Sequence, residues 1–148
     1  VTPFLTFESW KARSRLGPEK CNDLYARAPV QVDTCLSDVS YWINARLRKR
    51  YDELQYPQDP TVLGWTRDIV DFDMFILQGG DPSSEQDATF KERAETARAE
   101  VKEAADAKDG LFDLPLRKDI TATGVTKGYP RACSDASPYT WTDRQVGR

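Results

Sequence analysis

The sequence predicts an all-α protein: a small bundle of about four helices, one short and N-terminal and three longer, followed by an extended C-terminal tail. Three observations predict it. Between Val30 and Tyr51 the apolar residues Val32, Cys35, Leu36, Val39, Trp42, Ile43 and Leu47 fall at spacings of three and four, the period of a helix buried on one face. A second apolar run, Pro60 to about Gln78, lies between Asp59-Pro60 and Gly79-Gly80, which are helix start and stop signals. Beyond Arg117 no stripe is present. The chain therefore divides into a helical domain, residues 1–116, and a tail, residues 117–148.

Taken in order, Phe4 to about Arg13 reads as a short helix after Thr2-Pro3, anchored by Phe7 and Trp10 one turn apart, and Gly17-Pro18 ends it. A polar stretch through Ala28-Pro29 follows. The helix from Val30 to Tyr51 gathers Arg46, Arg48, Lys49 and Arg50 in its last turns, where cations meet the negative end of the helix dipole. Tyr56-Pro57-Gln58-Asp59-Pro60 forces a turn, with Asp59 as N-cap. The next helix is apolar around much of its circumference near its C-terminal end, so that end is expected to be packed on more than one side. The facing stripes of these two helices give a core of Val32, Leu36, Val39, Ile43, Leu47, Leu63, Ile69, Val70 and Phe75.

From about Glu85 to Lys108, after the loose capping box Ser84-Glu85-Gln86-Asp87, Phe90, Ala94, Ala97, Val101 and Ala104 recur at helical spacing among charged residues. Small residues on such a seam admit a close neighbour but bury little area, so this helix is expected on the outside of the domain or against a neighbouring subunit. Asp109-Gly110 ends it, and Leu111 to Leu116 reads as a short extended segment. The tail contains Gly124, Gly128, Pro130 and Pro138 and cannot bury itself. Its aromatic residues Tyr129, Tyr139 and Trp141 are the expected anchors of a contact with partner chains.

Composition excludes several functions. The 148 residues carry 21 Lys and Arg against 24 Asp and Glu, a net charge of −3, without the basic excess of a dedicated nucleic-acid binder. Histidine is absent, which removes the commonest general base, the commonest zinc ligand and every Ser-His or Cys-His nucleophile. Cys21, Cys35 and Cys133 form no CxxC pair, and Cys35 lies on the apolar stripe as a small hydrophobe. No apolar run reaches membrane-spanning length and the N-terminus lacks a signal-peptide pattern, so a soluble protein made in a cytoplasm is expected.

The remaining clusters read as follows. Asp68 and Asp71 share a helix face while Asp73 points elsewhere; two carboxylates without histidine make a poor metal site, and a solvated or salt-bridged face is expected. Gly79-Gly80-Asp81 follows a helix and lacks the Lys-Ser/Thr of a phosphate loop. Arg46 and its neighbours are expected to pair with acidic groups on an adjacent helix or subunit. Arg50 lies close to the apolar stripe, where a buried or interface ion pair is expected. No catalytic, cofactor-binding or metal-binding residue is assigned.

The hairpin also carries a resemblance. Ile43-Asn44-Ala45-Arg46-Leu47-Arg48-Lys49-Arg50-Tyr51, a proline loop, Pro60-Thr61-Val62-Leu63 and then Asp68-Ile69-Val70 resemble a run that recurs in the small head-to-tail adaptor (connector) proteins of tailed bacteriophages, of the Mu-like small virion type. The similarity spans about Thr2 to Leu116 and includes the N-terminal helix around Leu5 to Arg13 and Gly110 before Leu111. Trp42 and Trp65 are bulkier than that pattern leads one to expect, and the tail is longer than the family's short form. The resemblance implies a mainly helical virion protein, not an enzyme, assembled in the bacterial host. It would form a homo-oligomeric ring, typically of twelve copies, below the portal protein in the neck. Its partners would be other copies of itself, the portal, and a neck, stopper or tail protein, with DNA only as non-specific cargo in the channel and no membrane. The other reading is a cytoplasmic helical regulatory or protein-binding module, although the loop from Tyr51 to Asp59 is too long for a helix-turn-helix.

Overall fold

A computed structural model describes residues 2–81, 83–84, 87–106 and 113–117. These form five α-helices: α1 (Phe7–Arg13), α2 (Pro18–Arg27), α3 (Pro29–Leu47), α4 (Pro60–Leu77) and α5 (Ala88–Asp106), with a 3-10 turn at Tyr56–Gln58 before α4. No strand is present among the described residues, only an isolated antiparallel bridge between Tyr51 and Leu116. The fold is all-α. Helix α4 packs against α3 and α5, α3 also touches α5, and α1 and α2 pack on the α3 side.

All nine core positions expected from the stripes are buried, from Val32, Ile43, Leu47 and Val70 at 0 % exposure to Leu63 and Phe75 at 8 %. Removing an aliphatic side chain of this size from water is worth about 1.5–3 kcal/mol, so the buried stripes of α3 and α4 contribute substantially to stability.

The structure has one helix more than the sequence pattern indicates. Gly17-Pro18 begins a helix as well as closing off α1: Gly17, at φ +89°, is the N-cap of α2 and Pro18 its first residue. Proline suits that position because its missing N–H is one that has no partner in the helix. Only Cys21, Leu24 and Tyr25 mark the inner face of α2, and ten residues with three apolar positions read as a polar stretch. Two boundaries also move. Helix α1 starts at Phe7 instead of Phe4, because Thr6 and Ser9 form a reciprocal capping box. Helix α3 ends at Leu47 instead of Tyr51, and Tyr51 instead bridges to Leu116.

Helix α4 ends in a Schellman motif. The Gly80 N–H reaches the Phe75 carbonyl at 3.1 Å, the Gly79 N–H reaches that of Ile76 at 2.9 Å, and Gly79 has φ +85°. The ring of Phe75 lies so close to Gly80 that a Cβ there would fall 2.2 Å from it. That ring stacks on Phe90 of α5, with centroids 5.1 Å apart.

The small-residue seam of α5 does not await a neighbouring subunit. Ala94, Ala97, Val101 and Ala104 are buried within the chain, chiefly where α5 lies on α4. Trp65 of α4 reaches across this contact, its indole N–H donating to Glu100 Oε2 at 2.6 Å. No described helix is long and apolar enough to cross a membrane.

Candidate functional site

The end of the α3–α4 hairpin holds the buried polar residues Asn44 and Arg50. Ile43, Asn44, Leu47, Arg50 and Tyr51, five of the positions that carry the resemblance, are all buried there. Asn44 is the hub. Its amide nitrogen donates to Glu53 Oε1 at 2.9 Å, and its carbonyl oxygen accepts from the Tyr56 hydroxyl. Burial pushes the Tyr56 phenol well above its ordinary range, with the nearby Glu53 charge adding to the effect, so this tyrosine is a permanent donor. The Tyr51 hydroxyl donates to the Ala104 carbonyl at 2.8 Å, tying the loop to the last turn of α5.

Residues 113–117 run beside this loop. The Asp52 N–H donates to the Pro115 carbonyl at 2.8 Å and the Arg117 N–H to the Arg50 carbonyl at 3.0 Å. The Arg117 guanidinium reaches the Arg48 carbonyl at 3.4 Å. Arg48, Lys49, Tyr51, Asp52, Glu53 and Arg117 line an open cleft of ≈ 470 Å³. Leu54, at the loop tip, is 89 % exposed.

Of the two partners expected for these cations, an adjacent helix or another subunit, the first is not found among the described residues. Arg46 forms no ion pair among the described residues; its guanidinium lies 3.9 Å from the Trp42 ring centroid and donates to the Trp42 carbonyl at 3.0 Å. A flat guanidinium on an indole face is a favourable pairing in its own right. Arg50 is only 7 % exposed, yet its Nε and Nη2 have no hydrogen-bond partner and the expected ion pair is absent among the described residues. The guanidinium lies beside Tyr51, 5.9 Å from the ring centroid.

The three aspartates of α4 have three different environments. Asp68 is salt-bridged, to Arg67 at 2.7 Å and Arg15 at 3.7 Å. Asp73 pairs with Arg98 at 3.2 Å and accepts a long contact from the Cys35 thiol at 3.9 Å. Cys35 is half-buried, and its thiol is pushed up to about 12 by burial and by the Asp73 charge, so it stays protonated. Asp71 is neither solvated nor salt-bridged. It is 1 % exposed and accepts from the Trp10 indole at 2.8 Å, the Ser14 hydroxyl at 2.7 Å and the Arg15 N–H at 2.9 Å. Its place one turn before the buried pair Met74 and Phe75 is the sequence signal for this, since a carboxylate on a buried stripe needs donors. Burial nevertheless raises Asp71 to about 6, against the lowering effect of Ser14 and Trp10.

Among the described residues no group of three or more Cys, Asp or Glu is arranged to hold a metal ion. Tyr129, Tyr139, Trp141 and Cys133 lie outside the described residues. No protein-family model, curated protein or solved structure matches this chain.

Proposed function

We propose that the chain is a structural virion protein, a head-to-tail adaptor that forms a ring below the portal, extends the DNA channel and joins the capsid to the neck or tail. The observation that carries this reading is the hairpin end. The positions that resemble the adaptor run, Ile43, Asn44, Leu47, Arg50 and Tyr51, act as one buried unit with the loop. Arg50 within this unit, and Arg46, Arg48 and Lys49 beside it, have no acidic partner among the described residues, as suits an interface completed by another subunit. In this reading Arg46 and Arg50 face neighbouring subunits, and Tyr129, Tyr139 and Trp141 fasten the tail to those subunits or to the portal. No catalysis is assigned. DNA passes as cargo, and the net charge of −3 suits a channel that must not hold it.

Mass photometry of the full chain, alone and with isolated portal rings, tests the reading. Self-association into a closed ring, or stoichiometric loading on the portal, supports it. A chain that stays monomeric with and without the portal contradicts it.

A further inference from the structure

Trp42 stands at the middle of a row of side chains on α3 that the fold leaves without partners. It packs against the core and stays half-buried. Asp38 lies four residues before it and Arg46 four residues after it. Each step of four residues turns about 40° around a helix, so the three side chains form one inclined row with about 12 Å of axis between its two charges. Asp38 is exposed and has no hydrogen bond or ion pair among the described residues. Arg46 covers part of the Trp42 ring but meets no carboxylate there.

Beside the row is a hollow of ≈ 240 Å³ lined by Asp38, Val39, Trp42, Ile69, Asp73 and Arg98. Val39 and Ile69 are its buried apolar floor, and Asp73 and Arg98 already pair with each other at 3.2 Å. The hollow is smaller than the about 300–1,000 Å³ of small-molecule pockets and suits a single side chain. The order acid, aromatic, base is self-complementary. Turned end for end about Trp42 and laid on a second copy of itself, the row sets Asp38 against Arg46 at both ends. A two-fold axis produces that arrangement, in which one residue meets another and the second meets the first in return. A tryptophan at the centre of a patch with charged groups at its rim is also the make-up of a binding hot spot.

We propose that this row is a two-fold docking surface for a second copy of the chain. Asp38 of each copy pairs with Arg46 of the other, and the two Trp42 side chains meet between these pairs, beside the hollow. A two-fold contact is complete at two copies. It is therefore distinct from the head-to-tail contact that a ring repeats, and it does not rest on the ring reading.

The test uses the full chain as wild type, Asp38→Arg, Arg46→Asp and the double variant D38R/R46D. Dimerisation is measured by sedimentation velocity across concentration, and folding by circular dichroism melts at a dilution where each protein is monomeric. Each single reversal sets like charges against each other at both ends of the row and should weaken dimerisation at least tenfold. D38R/R46D restores opposite charges at both ends and should dimerise close to wild type. An equimolar mixture of the two single variants should form a heterodimer although neither pairs with itself, because only the mixture sets opposite charges together at both ends. Asp38 is exposed and unpaired, so Asp38→Arg decides the claim even if Arg46→Asp, which loses the stack on Trp42, does not fold. The proposal is overturned if wild type stays monomeric at every concentration or if folded Asp38→Arg dimerises like wild type. It is also overturned if the two single variants, both folded, form no heterodimer when mixed.

Discussion

The indole N–H of Trp10 donates to Oδ1 of Asp71 at 2.8 Å across 61 positions of sequence, and it does so where both residues are buried. With Ser14 and the Arg15 N–H on the same carboxylate, this contact fixes the end of α1 and the following turn onto α4. Trp10→Phe preserves most of the ring and deletes the donor. It should cost about 1–3 kcal/mol, the range for leaving a buried polar group one partner short, as read by urea denaturation. A loss below about 0.5 kcal/mol would place the ring's packing, and not the hydrogen bond, in charge of the contact.

Asp71 also gives the stability a pH dependence. Its folded pKa is raised to about 6 from an ordinary 3.8, so the folded chain holds this proton more tightly than the unfolded one. The associated stability is fully present below the unfolded value and is lost as pH rises through about 6. Wild type should therefore gain on the order of 1–3 kcal/mol relative to Asp71→Asn between pH 7 and pH 4.5. Parallel stability curves for the two proteins over that interval would rule out titration of Asp71 there.

The Schellman cap separates two glycine effects. Gly79 has φ +85° with open space around its Cα, so Gly79→Ala should cost about 1 kcal/mol from backbone strain alone. At Gly80 a methyl group would collide with the Phe75 ring and disturb its stacking on Phe90, so Gly80→Ala should cost about 1–3 kcal/mol, the range for overpacking. Thermal melts of the two variants check this order. A larger loss at Gly79 than at Gly80 would contradict it.

Ile43 and Ile69 lie at 0 % and 3 % exposure on α3 and α4. Truncation of either to alanine should cost about 2–5 kcal/mol, as measured by chemical denaturation. Losses near zero for both would mean that these stripes do not form the core.

Much of this fold is legible in the sequence where burial imposes a period. The α3 and α4 stripes identify every expected core position, and Asp59-Pro60 and Gly79-Gly80 mark the ends of α4 because caps are local chemistry. Helix α2 is not legible, since Gly17-Pro18 has the form of a stop as much as a start and Cys21, Leu24 and Tyr25 are too few to show a stripe. The Asp71 contact is hidden for a different reason. Its donors come from α1 and the turn after it, and no local pattern shows which distant N–H groups a carboxylate will meet. Arg50 lies between these cases: its burial follows from its nearness to the α3 stripe, whereas the lack of a partner emerges only once the neighbouring side chains are in place.

The central claim is that copies of this chain form a ring at the capsid vertex. Cryo-electron microscopy of portal-bearing, tail-less capsids incubated with the purified full chain tests it most directly. The account predicts a closed ring of the chain, typically of twelve copies in the family it resembles, seated below the portal with the end of α3 at each subunit boundary. Vertices that remain bare, while the same preparation of the chain is folded and helical, would contradict it.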